Sequence, residues 1–174
     1  MLYTFDGQTP VIGKETYVSE TAQVIGNVVI GDNCYIGHGA ILRGDYGRIE
    51  IEAGTAVEEG VIVHAPPDHT HHIGKRVTVG HGAILHGKYI GDGAVIGMGA
   101  ILSILSEVQD GAIVGEGAVV KWGQVIPAKM VAAGNPAKII REVSPKDQKM
   151  WDWGKQLYID LAKKYLAVGM QPEK

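Results

Sequence analysis

The run Ile90-Gly91-Asp92-Gly93-Ala94-Val95-Ile96-Gly97-Met98-Gly99-Ala100-Ile101-Leu102 returns an aliphatic residue at every sixth position. The same phase continues through Val108, Val114, Val120 and Ile126. Upstream, after a one-residue slip, it reappears as Ile73, Val79 and Leu85, then as Ile51, Val57 and Val63. A further offset leads to Ile12, Val18, Val24, Ile30, Ile36 and Leu42. Glycine often follows the aliphatic residue, as at Gly31, Gly80, Gly91 and Gly115, and a small residue often lies four positions after it, as at Cys34, Ala83, Ala94 and Ala112. An amphipathic helix needs a period near 3.6 and few glycines, so this pattern excludes one. A fixed repeat with alternating large and small inward positions predicts a solenoid of short strands, each coil burying the face of the next.

Length and composition agree with one folded unit. The chain has 174 residues, a formal net charge of -3 and 20% charged residues, a balance that argues against nucleic-acid or anionic-membrane partners. Cys34 is the single cysteine, so no internal disulfide can form. The start, Met1-Leu2-Tyr3-Thr4-Phe5-Asp6, lacks the basic and apolar regions of a signal peptide. The uncharged stretch from Gly93 to Ser106 is too short to span a bilayer. A cytoplasmic protein is expected.

The C-terminal segment breaks the repeat. The reading divides the chain into a β-helix with terminal extension over 1–143 and a helix with tail over 144–174. Ser144 reads as the N-cap and Pro145 as the first helical residue, predicting a helix over about 145–167. Met150, Trp153, Leu157, Leu161 and Tyr165 follow at helical spacing and are expected to pack along the solenoid.

The repeat also measures position. If three six-residue faces make one coil, Leu85 stands one coil above Val63, so His86 stacks on His64, and Arg43 after Leu42 stands one coil below His64. Adjacent coils are about 4.8 Å apart. Two imidazoles so placed can share one metal ion at roughly 2.0–2.1 Å. His81 falls at another corner, above Glu58 and Glu59, where it would reach that metal only on a neighbouring copy. Three such heterologous contacts close a homotrimer. Three imidazoles leave a coordination position open for water, as in catalytic zinc sites, and also suit cobalt or iron.

The repeat resembles the left-handed parallel β-helix of hexapeptide-repeat proteins over roughly residues 11–127. With a C-terminal α-helix, this implies an all-β solenoid with one helix at its end. Three pieces extend the likeness: Arg43-Gly44-Asp45, Gly60-Val61-Ile62-Val63-His64, and Val79-Gly80-His81-Gly82-Ala83-Ile84-Leu85-His86-Gly87. In them the chain resembles the γ-class carbonic anhydrase family. That resemblance implies His64, His81 and His86 as zinc ligands and Arg43 as an arginine pairing across the subunit interface opposite Glu59. It implies Asp45 as the carboxylate orienting metal-bound water and Tyr158 as the helix tyrosine near the site. The chain departs from the family at Glu58, where a neutral amide is usual, and at Tyr46, where an acidic residue is usual.

The expected function is therefore a zinc-dependent lyase interconverting carbon dioxide and bicarbonate, with Asp45, Glu58, Tyr158 and Arg43 acting around the metal. His69, His71 and His72, in the loop Ala65 to His72, are candidate proton shuttles, with exposed histidines of no role as the alternative. Cys34 and His38 read as structural. The alternatives are a hexapeptide-repeat acyltransferase using acyl-coenzyme A with a histidine as general base, and a metal-stabilised trimer with little catalysis. Gly134-Asn135-Pro136-Ala137-Lys138 is shared with hexapeptide acyltransferases and marks the superfamily without choosing the reaction.

Overall fold

In the computed structural model, which describes residues 1–170, the chain winds as a left-handed parallel β-helix closed by one α-helix. The end of the expected 144–174 unit, residues 171–174, lies outside the described residues. Most rungs are two-residue strands, and their partners stand one coil away in parallel register. Ile41, Ile62, Ile84, Ile101 and Val119 form one ladder. Tyr35, Ala56, Thr78, Val95 and Ile113 form a second. Glu50, His72, Tyr89, Glu107 and Val125 form the third. Two long strands, Gln23–Ile30 and Ile41–Ile51, run through a corner and join the first and third ladders into one sheet. Gly26 makes that corner, with φ of +74° and Gly44 O within 2.5 Å of where a Cβ would stand.

The repeat residues fill the interior as their period requires. Val63, Leu85, Leu102 and Val120 are fully buried, and Cys34, Ala83, Ala94 and Ala112 fill the narrower inward positions. Burial pushes the Cys34 thiol up to about 11, which suits a packing residue rather than a nucleophile. Asp32, Asp92 and Asp110 cap turns: Asp92 Oδ1 accepts from the Lys75 N–H at 2.8 Å, and Asp110 Oδ1 from the Asp92 N–H at 3.1 Å.

The helix α1 spans Pro145–Val168 and begins in a full capping box, with Ser144 and Asp147 each satisfying the other's backbone N–H. Its packing face agrees with the expected one at Leu161 and Tyr165 and differs in the first half of the helix. Met150, Trp153 and Leu157 point outward, exposed by 53%, 66% and 46%. The face against the solenoid carries Lys155 and Ala162, with Tyr158, Leu161 and Tyr165 half-buried beside them. Tyr165 stacks on Tyr17 at 4.5 Å and receives His38, whose other nitrogen binds Ser19 at 2.6 Å. The aromatic knob Tyr17–Tyr35 on the second ladder therefore sets the rotation of α1, and hydrophobicity of the spacing alone does not. No helix among the described residues is long and apolar enough to cross a membrane.

Candidate functional site

The ladder register places Arg43, His64 and His86 on one edge, as the six-residue count requires. Leu42, Val63 and Leu85 are paired in sequence, and Arg43 is paired with His64. The His64 and His86 rings lie 4.7 Å apart and tilted by 35°. Asp45 sits beside them, with Oδ1 3.1 Å from His64 Nε2, and its other oxygen binds Arg43. Partial burial works against ionising Asp45, but the hydrogen bonds from Arg43 and His64 outweigh it and hold the carboxyl below its usual range. Burial, with the charges of His64 and Arg43, pushes His86 down, and its buried Nε2 has no partner among the described residues.

His81 occupies a different corner and builds a different constellation. Its Nδ1 lies 2.7 Å from Glu59 Oε2, and its Nε2 lies 3.1 Å from Glu58 Oε2. The same Glu58 oxygen accepts the His81 backbone N–H at 3.1 Å. Glu59 also accepts from the Tyr35 hydroxyl at 2.6 Å. Burial works against ionising Glu59, yet the bonds from Tyr35 and His81 hold its carboxyl below the usual range. Glu58 is nearly enclosed, and that burial pushes its carboxyl up despite the charge of His81 and the hydrogen bond of Tyr158. Burial and Glu58 in turn push the Tyr158 phenol up, so it stays a neutral donor. Beside these groups runs a cleft of about 310 Å³, with His81, Glu58 and Tyr158 facing Met98, Ile113 and Trp151.

These positions refine several expectations. Tyr158 hydrogen-bonds Glu58 and so lines the same cleft as His81. Arg43 and Glu59 stand apart within the chain, Arg43 on Asp45 and Glu59 on Tyr35 and His81. The stretch Ala65 to His72 is not all loop, because Thr70–Ile73 forms a rung. His71 therefore points into the core with no exposure, and burial pushes it down to about 4, which removes it as a shuttle near neutral pH. His72 stacks on Tyr89 at 5.5 Å, and only His69 is exposed on the loop. Among the described residues of one chain no three His, Cys, Asp or Glu side chains converge closely enough to hold a metal; the expected tris-histidine centre takes His81 from a neighbouring copy. Lys155 and Trp151, absent from the sequence reading, line clefts beneath α1. Their spacing with Tyr158, Ala162 and Tyr165 was an available signal, masked by the more apolar stripe through Met150.

Comparison with known proteins settles the family. Residues 9–44 match the bacterial transferase hexapeptide family (six repeats), and residues 72–103 match the hexapeptide repeat of succinyl-transferase. The carnitine operon protein CaiE of Citrobacter koseri is 39% identical over 160 residues, covering 92% of this chain and 81% of that protein. The chain belongs to the CaiE family of hexapeptide-repeat proteins. A Bacillus cereus protein provisionally named an acetyltransferase superposes with a TM-score of 0.93 at 30% identity, covering 97% of this chain and 98% of that one. A hexapeptide transferase family protein from Anaplasma phagocytophilum gives 0.90 at 31%, covering 95% and 98%.

These relatives overturn the carbonic anhydrase expectation. CaiE proteins and hexapeptide transferases, rather than zinc lyases of carbon dioxide, are what the whole chain matches. The error has a physical reason. The repeat dictates where a histidine stacks, and stacked histidines fit a shared metal, but neither spacing nor fold encodes which bond is broken.

Proposed function

We propose that this protein is an acyltransferase that moves an acyl group from coenzyme A to a hydroxyl or amine acceptor, with His81 as general base. The observation that carries this is the His81 imidazole held between Glu58 and Glu59 at the side of an apolar cleft of about 310 Å³. Glu59 accepts from Nδ1–H and so leaves Nε2 as the basic atom, the orientation a histidine base needs. The acceptor O–H or N–H would give its proton to Nε2 as its oxygen or nitrogen attacks the thioester carbonyl. The C–S bond then breaks and the thiolate of coenzyme A leaves, taking up the proton that Nε2 received and so regenerating the base. Glu58, with its carboxyl pushed up by burial, sits on Nε2 and can hold that proton in transit. Met98, Ile113 and the Trp151 ring offer the apolar wall an acyl chain requires.

A homotrimer completes this reading. Ile62, Ile84 and Ile101 stand in register on the outer face of the first ladder, exposed by 39%, 43% and 38%. An in-register apolar stripe of this kind suits a second copy. A cytoplasmic location is part of the same proposal. The test is release of coenzyme A thiol from acetyl- or succinyl-coenzyme A with a panel of hydroxyl and amine acceptors, in wild type and in H81A. Acceptor-dependent release that H81A abolishes supports the assignment.

A second reading has its own observation, the orphaned Nε2 of His86 beside His64. A divalent transition-metal ion, with zinc, cobalt and iron all suited to imidazole, would be held by His64 and His86 of one copy and His81 of another, tying the trimer together. The two readings compete for His81. Metal content of the purified protein, measured against H64A and H86A, separates them without any activity assay.

A further inference from the structure

We propose that the cleft beneath α1 around Lys155 is a binding site for a small organic carboxylate. The cleft holds about 280 Å³ between the helix and the solenoid, with Val95 and Ile113 on its floor and Trp151, Gln148 and Lys155 on its helical side. It lies next to the His81 cleft and shares Trp151 and Ile113 with it, yet its polar groups belong to none of the catalytic roles above.

Lys155 is the feature that needs a partner. It is only 4% exposed, and its amine makes no hydrogen bond or ion pair among the described residues. A largely buried charge with no counterion beside it is costly, and an anion in the cleft would offset that cost. Its Nζ stands 6.0 Å from the centre of the Trp151 ring, which offers weak compensation at best. The local charge balance is positive. Arg76 acts on Lys155 as a second cation without an ion pair of its own among the described residues, and Asp152 at the cleft is the one carboxylate opposing the two. Burial pushes Lys155 down to about 8, so the amine is still charged at neutral pH and a bound anion would stabilise that charge.

The walls set the rest of the ligand. Val95, Ile113 and the Trp151 face suit a short apolar chain, and the Gln148 amide adds a second donor near the amine. A carboxylate with a short hydrocarbon tail satisfies both the charge and the lining; a neutral amide of the same shape satisfies only the lining. The site is independent of acyl transfer and stands or falls without it.

The test is calorimetric titration and thermal melting of the full chain with butyrate, with butyramide as the uncharged control. Saturable butyrate binding with a rise in Tm, and at least tenfold weaker binding of butyramide, is the expected result. K155M should lose the butyrate response by tenfold or more, and R76Q should weaken it less. No saturable binding of butyrate to wild type, or equal binding of butyramide, overturns the proposal. A folded K155M that keeps wild-type butyrate affinity also overturns it. If K155M does not fold, the butyrate and butyramide comparison in wild type decides alone.

Discussion

His81 Nδ1 lies 2.7 Å from the Oε2 of Glu59, which is itself fixed by the Tyr35 hydroxyl at 2.6 Å. Tyr35 is almost wholly buried, so the imidazole is oriented from the core outward through a phenol and a carboxylate. This chain of contacts makes Glu59 a positioning residue. E59Q should lower kcat by about tenfold to a hundredfold, while Y35F should have a smaller effect in the same direction. Unchanged KM in both, with kcat falling, would mark a loss of orientation rather than of binding.

Loss of the base itself should cost more. H81A is expected to reduce the rate by about 10²- to 10⁴-fold, the usual worth of a positioned proton acceptor. His81 is exposed at 46% of its side chain, so the melting temperature should stay near that of wild type. Steady-state rates and thermal melts on the same preparation check both halves.

Lys155 gives the stability a pH dependence of definite sign. Burial lowers its pKa from 10.5 to about 8 in the folded chain. Between these values the unfolded chain binds the extra proton, so stability rises with pH across that window. The penalty is present in full below pH 8 and fades by the ordinary lysine value, worth about 3 kcal/mol at most. Chemical denaturation at pH 7 and pH 10 should show the rise, and K155M should flatten it and be more stable than wild type at pH 7.

The coils tolerate little extra volume. A Cβ on Gly91 would meet Asp110 Oδ1 at 2.1 Å and the Asp110 N at 2.5 Å, so G91A should destabilise even though its backbone angles suit alanine. Leu85 is fully buried, and L85A should cost about 2–5 kcal/mol. Urea unfolding of each variant measures both effects.

The outer apolar ladder should hold copies together. I84D combined with I101D places two charges in the middle of that stripe and should convert the proposed trimer to monomers in sedimentation. The single-chain fold should persist by circular dichroism, because both residues point away from the core.

The sequence was most legible where one period controls geometry. Val63 and Leu85 are in register, so the His64–His86 stack and the placing of His81 over Glu58 and Glu59 could be counted residue by residue. It was least legible where long-range packing chooses among equal local patterns. Met150, Trp153 and Leu157 lie at helical spacing, as do Trp151, Lys155 and Tyr158, and the Tyr17–Tyr35 knob selects the second face. His71 sits in a run that reads as polar loop, but its pairing opposite Ile49 turns it inward. The reaction was the hardest to read, because a histidine beside two carboxylates and a histidine pair stacked on an edge suit different chemistries within one fold.

The central claim is that His81 removes a proton from an acceptor as an acyl group leaves coenzyme A. A thiol-release assay with acetyl- and succinyl-coenzyme A and the acceptor panel tests it most directly, run on wild type and H81A purified under the same conditions. The account predicts acceptor-dependent thiol release by wild type and its loss by at least a hundredfold in H81A. Thiol release that is absent from wild type with every acceptor, or that persists undiminished in H81A, would contradict it.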